Sequence, residues 1–299
     1  MSDSLLRAQV PSELDTIKGW FNPSDRRMFA WLLQRQLDSG VRGNVVELGS
    51  YLGKSAVFIG DFVHPDETFT VLDLFESEAG DADNKTEWSG SYSTLTEDAF
   101  KKNWLSFHPQ LPVVVKATSD HIVEHVEPGS VRFMHIDASH LYEHVAVDVE
   151  SAKLLLQPDG IVAFDDYRSE HCPGVAAAAW EAVNDKGLHL LCVTESKLYG
   201  TWGDPKPWID AMQQWLEADP DAYLDWHRIH GERSIRCKIK LPSTPAPAAT
   251  STKAASTAAA SPAGAAPAAR TGRSRSRRLA KDWLPPAVHR AVSKRLNPR

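Results

Sequence analysis

Between Val131 and Tyr167 two apolar runs, VRFMHI and GIVAF, end in acidic residues and are separated by a helix-length segment and a QPDG turn. Short apolar runs bounded by turn residues are buried strands, and a helix-length crossover between two of them makes them parallel neighbours. Three earlier runs, VVEL, FTVLDLF and PVVVKA, repeat the pattern, with helical stretches between most of them. The chain is therefore expected to be α/β, with a mainly parallel sheet covered on both faces. Candidates for further strands are HLLCVT, KLYGTW and SIRCKIKL, with a helix around Trp208 to Leu216.

The flanks read differently. Residues 1–44 are expected to be helical: Leu14, Ile17 and Trp20–Phe21 recur at helical spacing, as do Met28 to Leu37, and Gly40 and Gly43 close the second helix. Residues 45–241 form the α/β domain. Residues 242–272 are rich in Ala, Pro, Ser and Thr with no bulky apolar residue, the composition of a disordered linker. Residues 273–299 are basic, with Trp283, Leu284, Val288, Val292 and Leu296 as an apolar helix face suited to an anionic membrane surface. The last 58 residues hold eleven Lys/Arg against one acid, so the net charge of −6 hides an acidic body with a basic tail. Three scattered cysteines, no leader-like N-terminus and no long apolar run point to a reduced cytoplasmic protein, peripheral at the inner membrane face if the tail engages lipid. No nucleic-acid partner is expected, and a homo-oligomer is. The polar, acidic segment 76–98 is long for a β–α connection and suits a substrate-covering loop.

The strand ends carry the chemistry. Asp137 and His140 follow one strand, and Asp165–Asp166 stand 28 and 29 residues beyond Asp137, after the next. Carboxyl ends of parallel strands are where open α/β sheets bind ligands. Adjacent carboxylates repel unless a cation or a proton relieves them, so Asp137, Asp165 and Asp166 are candidate ligands for Mg²⁺ or another divalent ion. His140 beside them is a candidate general base. His135, His144 and His171 are rivals for that role, with His135 placed inside its strand. Tyr142 and Tyr167 flank the same rim, able to stack on a substrate ring.

The segment Glu47-Leu-Gly49-Ser50-Tyr-Leu-Gly53-Lys-Ser55 joins a strand to a helix. Glycines there let backbone approach a ligand, and the helix start offers free N–H donors. The spacing is one residue short of a P-loop, and Tyr51 breaks the dinucleotide fingerprint. Asp73, ending the next strand, can accept hydrogen bonds from ribose hydroxyls. Thr118 and Ser119 follow the third strand.

An acidic residue followed by GxxxG, with DxxH and an acidic pair downstream, resembles the metal-dependent class I S-adenosylmethionine methyltransferases, in particular the macrocin O-methyltransferase-like group acting on sugar hydroxyls. The resemblance covers about residues 40–202. It implies a Rossmann-like class I methyltransferase fold with S-adenosyl-L-methionine as cofactor, contacted by Glu47, Gly49, Ser50, Gly53, Ser55, Asp73, Thr118, Ser119 and Asp137. It also implies metal ligation by Asp137, Asp165 and Asp166, with His140 as base. The implied partner is a small-molecule or glycan acceptor. A catechol-type methyltransferase, usually with Asp-Asn at the acidic pair, is one alternative. A hydrolase- or hydroxylase-like relative on the same fold is another.

Overall fold

The structure, a computed structural model, describes residues 12–77 and 95–240. Most of the 76–98 loop, the linker and the basic tail, with the roles expected of them, lie outside the described residues. The strands are β1 (Asn44–Leu48), β2 (Phe69–Asp73), β3 (Val113–Lys116), β4 (Val131–Ile136), β5 (Leu156–Phe164), β6 (His189–Val193), β7 (Leu198–Thr201), β8 (Ala222–Ile229) and β9 (Glu232–Ile239). The helices are α1 (Pro23–Asp38), α2 (Lys54–Gly60), α3 (Glu97–Leu105), α4 (Tyr142–Leu155), α5 (Pro173–Asp185) and α6 (Lys206–Ala218). All nine strands form one sheet in the order β3-β2-β1-β4-β5-β7-β6-β9-β8.

The five strands read first are parallel, with β1 at the centre flanked by β2 and β4. Side chains alternate between faces. Val45, Phe133 and Ile161 pack under α1, α2 and α6, while Val46, Met134 and Val162 pack against α4 and α5. This is a Rossmann-like three-layer α/β fold. Because both faces are covered, the strands are apolar throughout, which made them visible in sequence.

The later strands, whose place in the sheet the sequence left open, run in mixed directions. β7 inserts antiparallel between β5 and β6, and β8 pairs antiparallel with β9. β8 was not anticipated: only one side of this edge strand packs, so AYLDWHRI lacks an apolar run. Its two-residue turn, His230-Gly231, has positive φ at both positions (51° and 85°). That backbone suits a tight hairpin, but His is not the residue that signals one. The QPDG segment lies within β5 as an irregularity: Val131 pairs with Leu156 and Phe133 already with Ile161.

The N-terminal expectation also changes. Among the described residues before α1, Ser12–Thr16 alone forms a short 3₁₀ turn, and Trp20–Phe21 lie in an extended connection. Asn22 caps α1 by accepting the Asp25 N–H at 3.0 Å, and Pro23 opens the helix, so an earlier helix cannot run through. The three cysteines are buried thiols, none of them in a disulfide. Among the described residues no helix is long and apolar enough to cross a membrane.

Candidate active site

Hydrogen bonds continue past the strand ends. Gly49 N–H donates to the Leu72 carbonyl (2.8 Å), Asp137 N–H to Leu48 (2.8 Å) and Asp165 N–H to Ile136 (3.0 Å). The first residues beyond β1, β4 and β5 are thereby held side by side at the carboxyl edge. Gly49 sits at φ 77°, and a Cβ there would lie 2.0 Å from the Asp137 carbonyl oxygen. Its glycine is thus required by the close crossing of two strand ends.

A cavity of about 1270 Å³ opens over this edge. Of the residues singled out in sequence, Gly49, Ser50, Ser55, Asp73, Thr118, Ser119, Asp137, His140, Asp165 and Asp166 line it. Glu47 and Gly53 do not: Glu47 is fully buried below the edge, and Gly53 packs toward Phe100. Tyr142 and Tyr167 also turn elsewhere. The Tyr142 hydroxyl donates to Glu181, and buried Tyr167 donates to the Thr194 carbonyl at 3.1 Å.

At one end of the cavity Asp73 acts on backbone. Its Oδ2 accepts the N–H groups of Ser50 (2.7 Å) and Tyr51 (3.0 Å), and Oδ1 accepts that of Phe75 (2.7 Å). Tyr51 and Phe75 both have positive φ, 49° and 50°, a conformation costly for aromatic residues unless held. Burial pushes the Asp73 carboxyl upward, while these N–H groups pull it back.

At the other end Asp137, His140 and Asp166 converge, with potential ligand atoms within 4.8 Å of one another. His140 Nε2 lies 3.5 Å from Asp166 Oδ2, and the His171 ring stands edge-on to that of His140 at 6.0 Å. Asp166 takes a left-handed backbone (φ 53°), and Ser169 donates to its Oδ1 at 2.5 Å. Burial, then the neighbouring Asp165, drives the Asp137 carboxyl well above its ordinary range. The Lys197 ammonium opposes that rise. The donor chemistry of Asp137 and Asp166 fits a hard divalent ion, with imidazole at hand.

Asp165 stands apart. Its carboxylate pairs with Lys197, which is fully buried, and Lys197 Nζ lies 3.1 Å from His135 Nε2. Burial holds His135 well below its usual range and therefore neutral. Its Nε2 then accepts from Lys197, and its Nδ1–H donates to Glu47 Oε1 at 2.8 Å. Burial raises Glu47 to about 8 and Asp25 to about 6. Sequence reading placed His135 in the core but had no partner for it, and did not single out Lys197.

The N-terminal connection supplies a second wall that sequence reading also missed. Lys18, Trp20 and Asn22, with Asp25 from the first turn of α1, line the cavity, and Trp20 stacks on Tyr51 with ring centroids 5.4 Å apart. The signal was present in Trp20, an apolar residue beside Gly19 and Asn22, which break a helix.

A family match agrees with this architecture. Residues 46–167 match the family model described as a methyltransferase domain. No curated protein matches the chain. Similar solved structures include the O-methyltransferase NovP (18% identity, TM-score 0.49, covering 60% of this chain and 81% of that one). The apo structure of CalS11, a TDP-rhamnose 3′-O-methyltransferase, is similar at 16% identity and TM-score 0.43, covering 67% and 91%. The Podospora anserina methyltransferase PaMTH1, bound to S-adenosylhomocysteine, is similar at 15% identity and TM-score 0.42, covering 68% and 89%. Residues 46–167 are thus similar to a methyltransferase domain, and the fold that carries them is Rossmann-like.

Proposed function

We propose that this protein is an S-adenosylmethionine-dependent, divalent-ion-assisted O-methyltransferase whose acceptor is a sugar hydroxyl, free or carried on a glycan or metabolite. The observation that carries the reading is one cavity joining the clamped turn at Asp73 with the group Asp137, His140 and Asp166. Its size suits a nucleoside cofactor together with an acceptor.

In this reading the Gly49–Tyr51 turn and the backbone after β3, at Thr118 and Ser119, bind the donor. Asp73 Oδ1 retains a lone pair for a ribose hydroxyl after accepting the Phe75 N–H. Asp137 and Asp166 are the carboxylates that would hold a divalent ion. The sulfonium supplies an electrophilic methyl group, and a divalent ion lowers the pKa of a coordinated hydroxyl. His140 accepts the hydroxyl proton as the O–CH₃ bond forms and the C–S bond breaks, then releases it to solvent. Alignment of the two substrates is the largest single contribution, and the two walls of the cavity supply it. Trp20 stacked on Tyr51 offers an apolar ring face to the acceptor.

The test is incubation with methyl-labelled donor and a panel of glycosides, nucleotide sugars and catechols, with product identified by mass spectrometry. Label on a sugar oxygen supports the reading. Label on a phenol alone moves the acceptor class, and label on neither, by protein that binds the donor, contradicts hydroxyl methylation.

A further inference from the structure

We propose that Lys197 is the built-in cation of this site: it withdraws Asp165 from any divalent-ion shell and leaves it as a clamp that aims Asp166. The inference rests on the cation-assisted reading above and narrows it to two carboxylates, Asp137 and Asp166.

Lys197 is held in place before any ligand arrives. It occupies the tight turn between β6 and β7, where its N–H donates to Thr194 Oγ1 (3.0 Å) and its carbonyl accepts the Thr194 N–H (2.9 Å). Its Nζ stands 5.7 Å from the Phe29 ring centroid and 5.9 Å from that of Phe21. The neighbouring Ser196 donates to both oxygens of buried Asp25, at 2.8 and 2.9 Å, so the turn is tied to α1 as well. An ammonium buried this completely persists only when paired, and its partners are Asp165 and His135.

Each oxygen of Asp165 already has a partner. Oδ2 faces Lys197, and Oδ1 accepts the Asp166 N–H at 2.8 Å. A divalent ion joining Oδ2 would meet the ammonium at close range, where like charges repel most strongly. The bond to the Asp166 N–H fixes that residue at φ 53°, a region an aspartate enters only when held, and turns its carboxylate toward His140. Asp165, paired with Lys197, is therefore the positioning residue for Asp166, and an Asn at 165 would keep that bond through its own Oδ1. The potential ligand groups divide the same way: Asp137 clusters with His140 and Asp166 on one side, and with His135 and Asp165 on the other.

The experiment is Mn²⁺ titration by calorimetry and electron paramagnetic resonance on the full chain, with donor binding measured on each sample. The double variant Asp165→Asn/Lys197→Met keeps the site's net charge. It should bind Mn²⁺ within about threefold of wild type, whereas Asp166→Asn should weaken it at least tenfold. Lys197→Met alone frees Asp165 and should tighten Mn²⁺ binding at least tenfold, a gain that disappears in the double variant. A tenfold loss in the double variant overturns the proposal, as does Lys197→Met without tightening. If the wild type binds no Mn²⁺ and Lys197→Met does not acquire binding, the proposal also falls, while retained donor binding leaves the methyltransferase reading standing. Should the double variant fail to fold, anomalous diffraction from Mn²⁺-soaked wild type decides: contact with Asp137 and Asp166 but not Asp165 is expected, and contact with Asp165 overturns it.

Discussion

The Oδ2 of Asp73 accepts the Tyr51 backbone N–H at 3.0 Å and so holds an aromatic residue in the left-handed region. Through that contact the end of β2 shapes the turn after β1, and with it the stacking of Tyr51 on Trp20. Asp73→Ala leaves three backbone donors without their acceptor. It should destabilise the protein by about 2–4 kcal/mol, measured by urea unfolding, and weaken donor binding at least tenfold. Unchanged stability would show that the turn holds its shape without Asp73.

Gly49→Ala should be more damaging than its size suggests. The added methyl would sit 2.0 Å from the Asp137 carbonyl oxygen, at a φ of 77°. A loss of about 3 kcal/mol or more is expected, because the crossing of β1 and β4 must open. Gly187, at the same φ with no atom within 4 Å of an added Cβ, provides the control: Gly187→Ala should cost only about 1 kcal/mol, the backbone part of the effect.

The buried acids make stability fall as pH rises. Glu47 at about 8 and Asp25 at about 6 hold their protons more tightly in the folded than in the unfolded chain. Their contribution is complete below pH ~4, the range of unfolded carboxyls. It is lost as pH climbs through about 6 for Asp25 and about 8 for Glu47. Glu47→Gln, fixed in the neutral form, should melt near the wild type at pH 5 and higher than it at pH 9. A difference of about 1 kcal/mol corresponds to roughly 2–4 °C. Equal pH slopes for the two proteins would contradict the assignment.

His140→Gln should lower kcat about 10²–10⁴-fold with little change in donor affinity, the signature of a lost proton acceptor. His144 and His171 line the same cavity, so His144→Gln and His171→Gln are the matched comparisons. A larger kcat loss in either would move the base there.

The central sheet was legible because β1, β2, β4 and β5 repeat the same doubly buried apolar run, with acids at or just past the ends of β2, β4 and β5. That regularity also brought Asp137, Asp165 and Asp166 to one edge in advance. The different fate of Asp165 could not be read, because it depends on a lysine 32 residues away that reaches back through the β6–β7 turn. A lysine in sequence looks solvent-exposed, and its burial depends on the acids that surround it in three dimensions. Trp20 was assigned to a helix for a related reason: its spacing fits a helical stripe, but Gly19 and the Asn22 cap end any helix there and leave it facing the cavity. The edge strand β8 stayed hidden because one packed face leaves too weak an apolar pattern.

The most direct test of the account is calorimetric titration of S-adenosylmethionine into the wild-type chain, with S-adenosylhomocysteine as competitor. The account predicts saturable one-to-one binding with a Kd at or below about 100 μM, displaced by the product. Absence of saturable binding by folded protein at millimolar donor would contradict the methyl-transfer reading of this cavity.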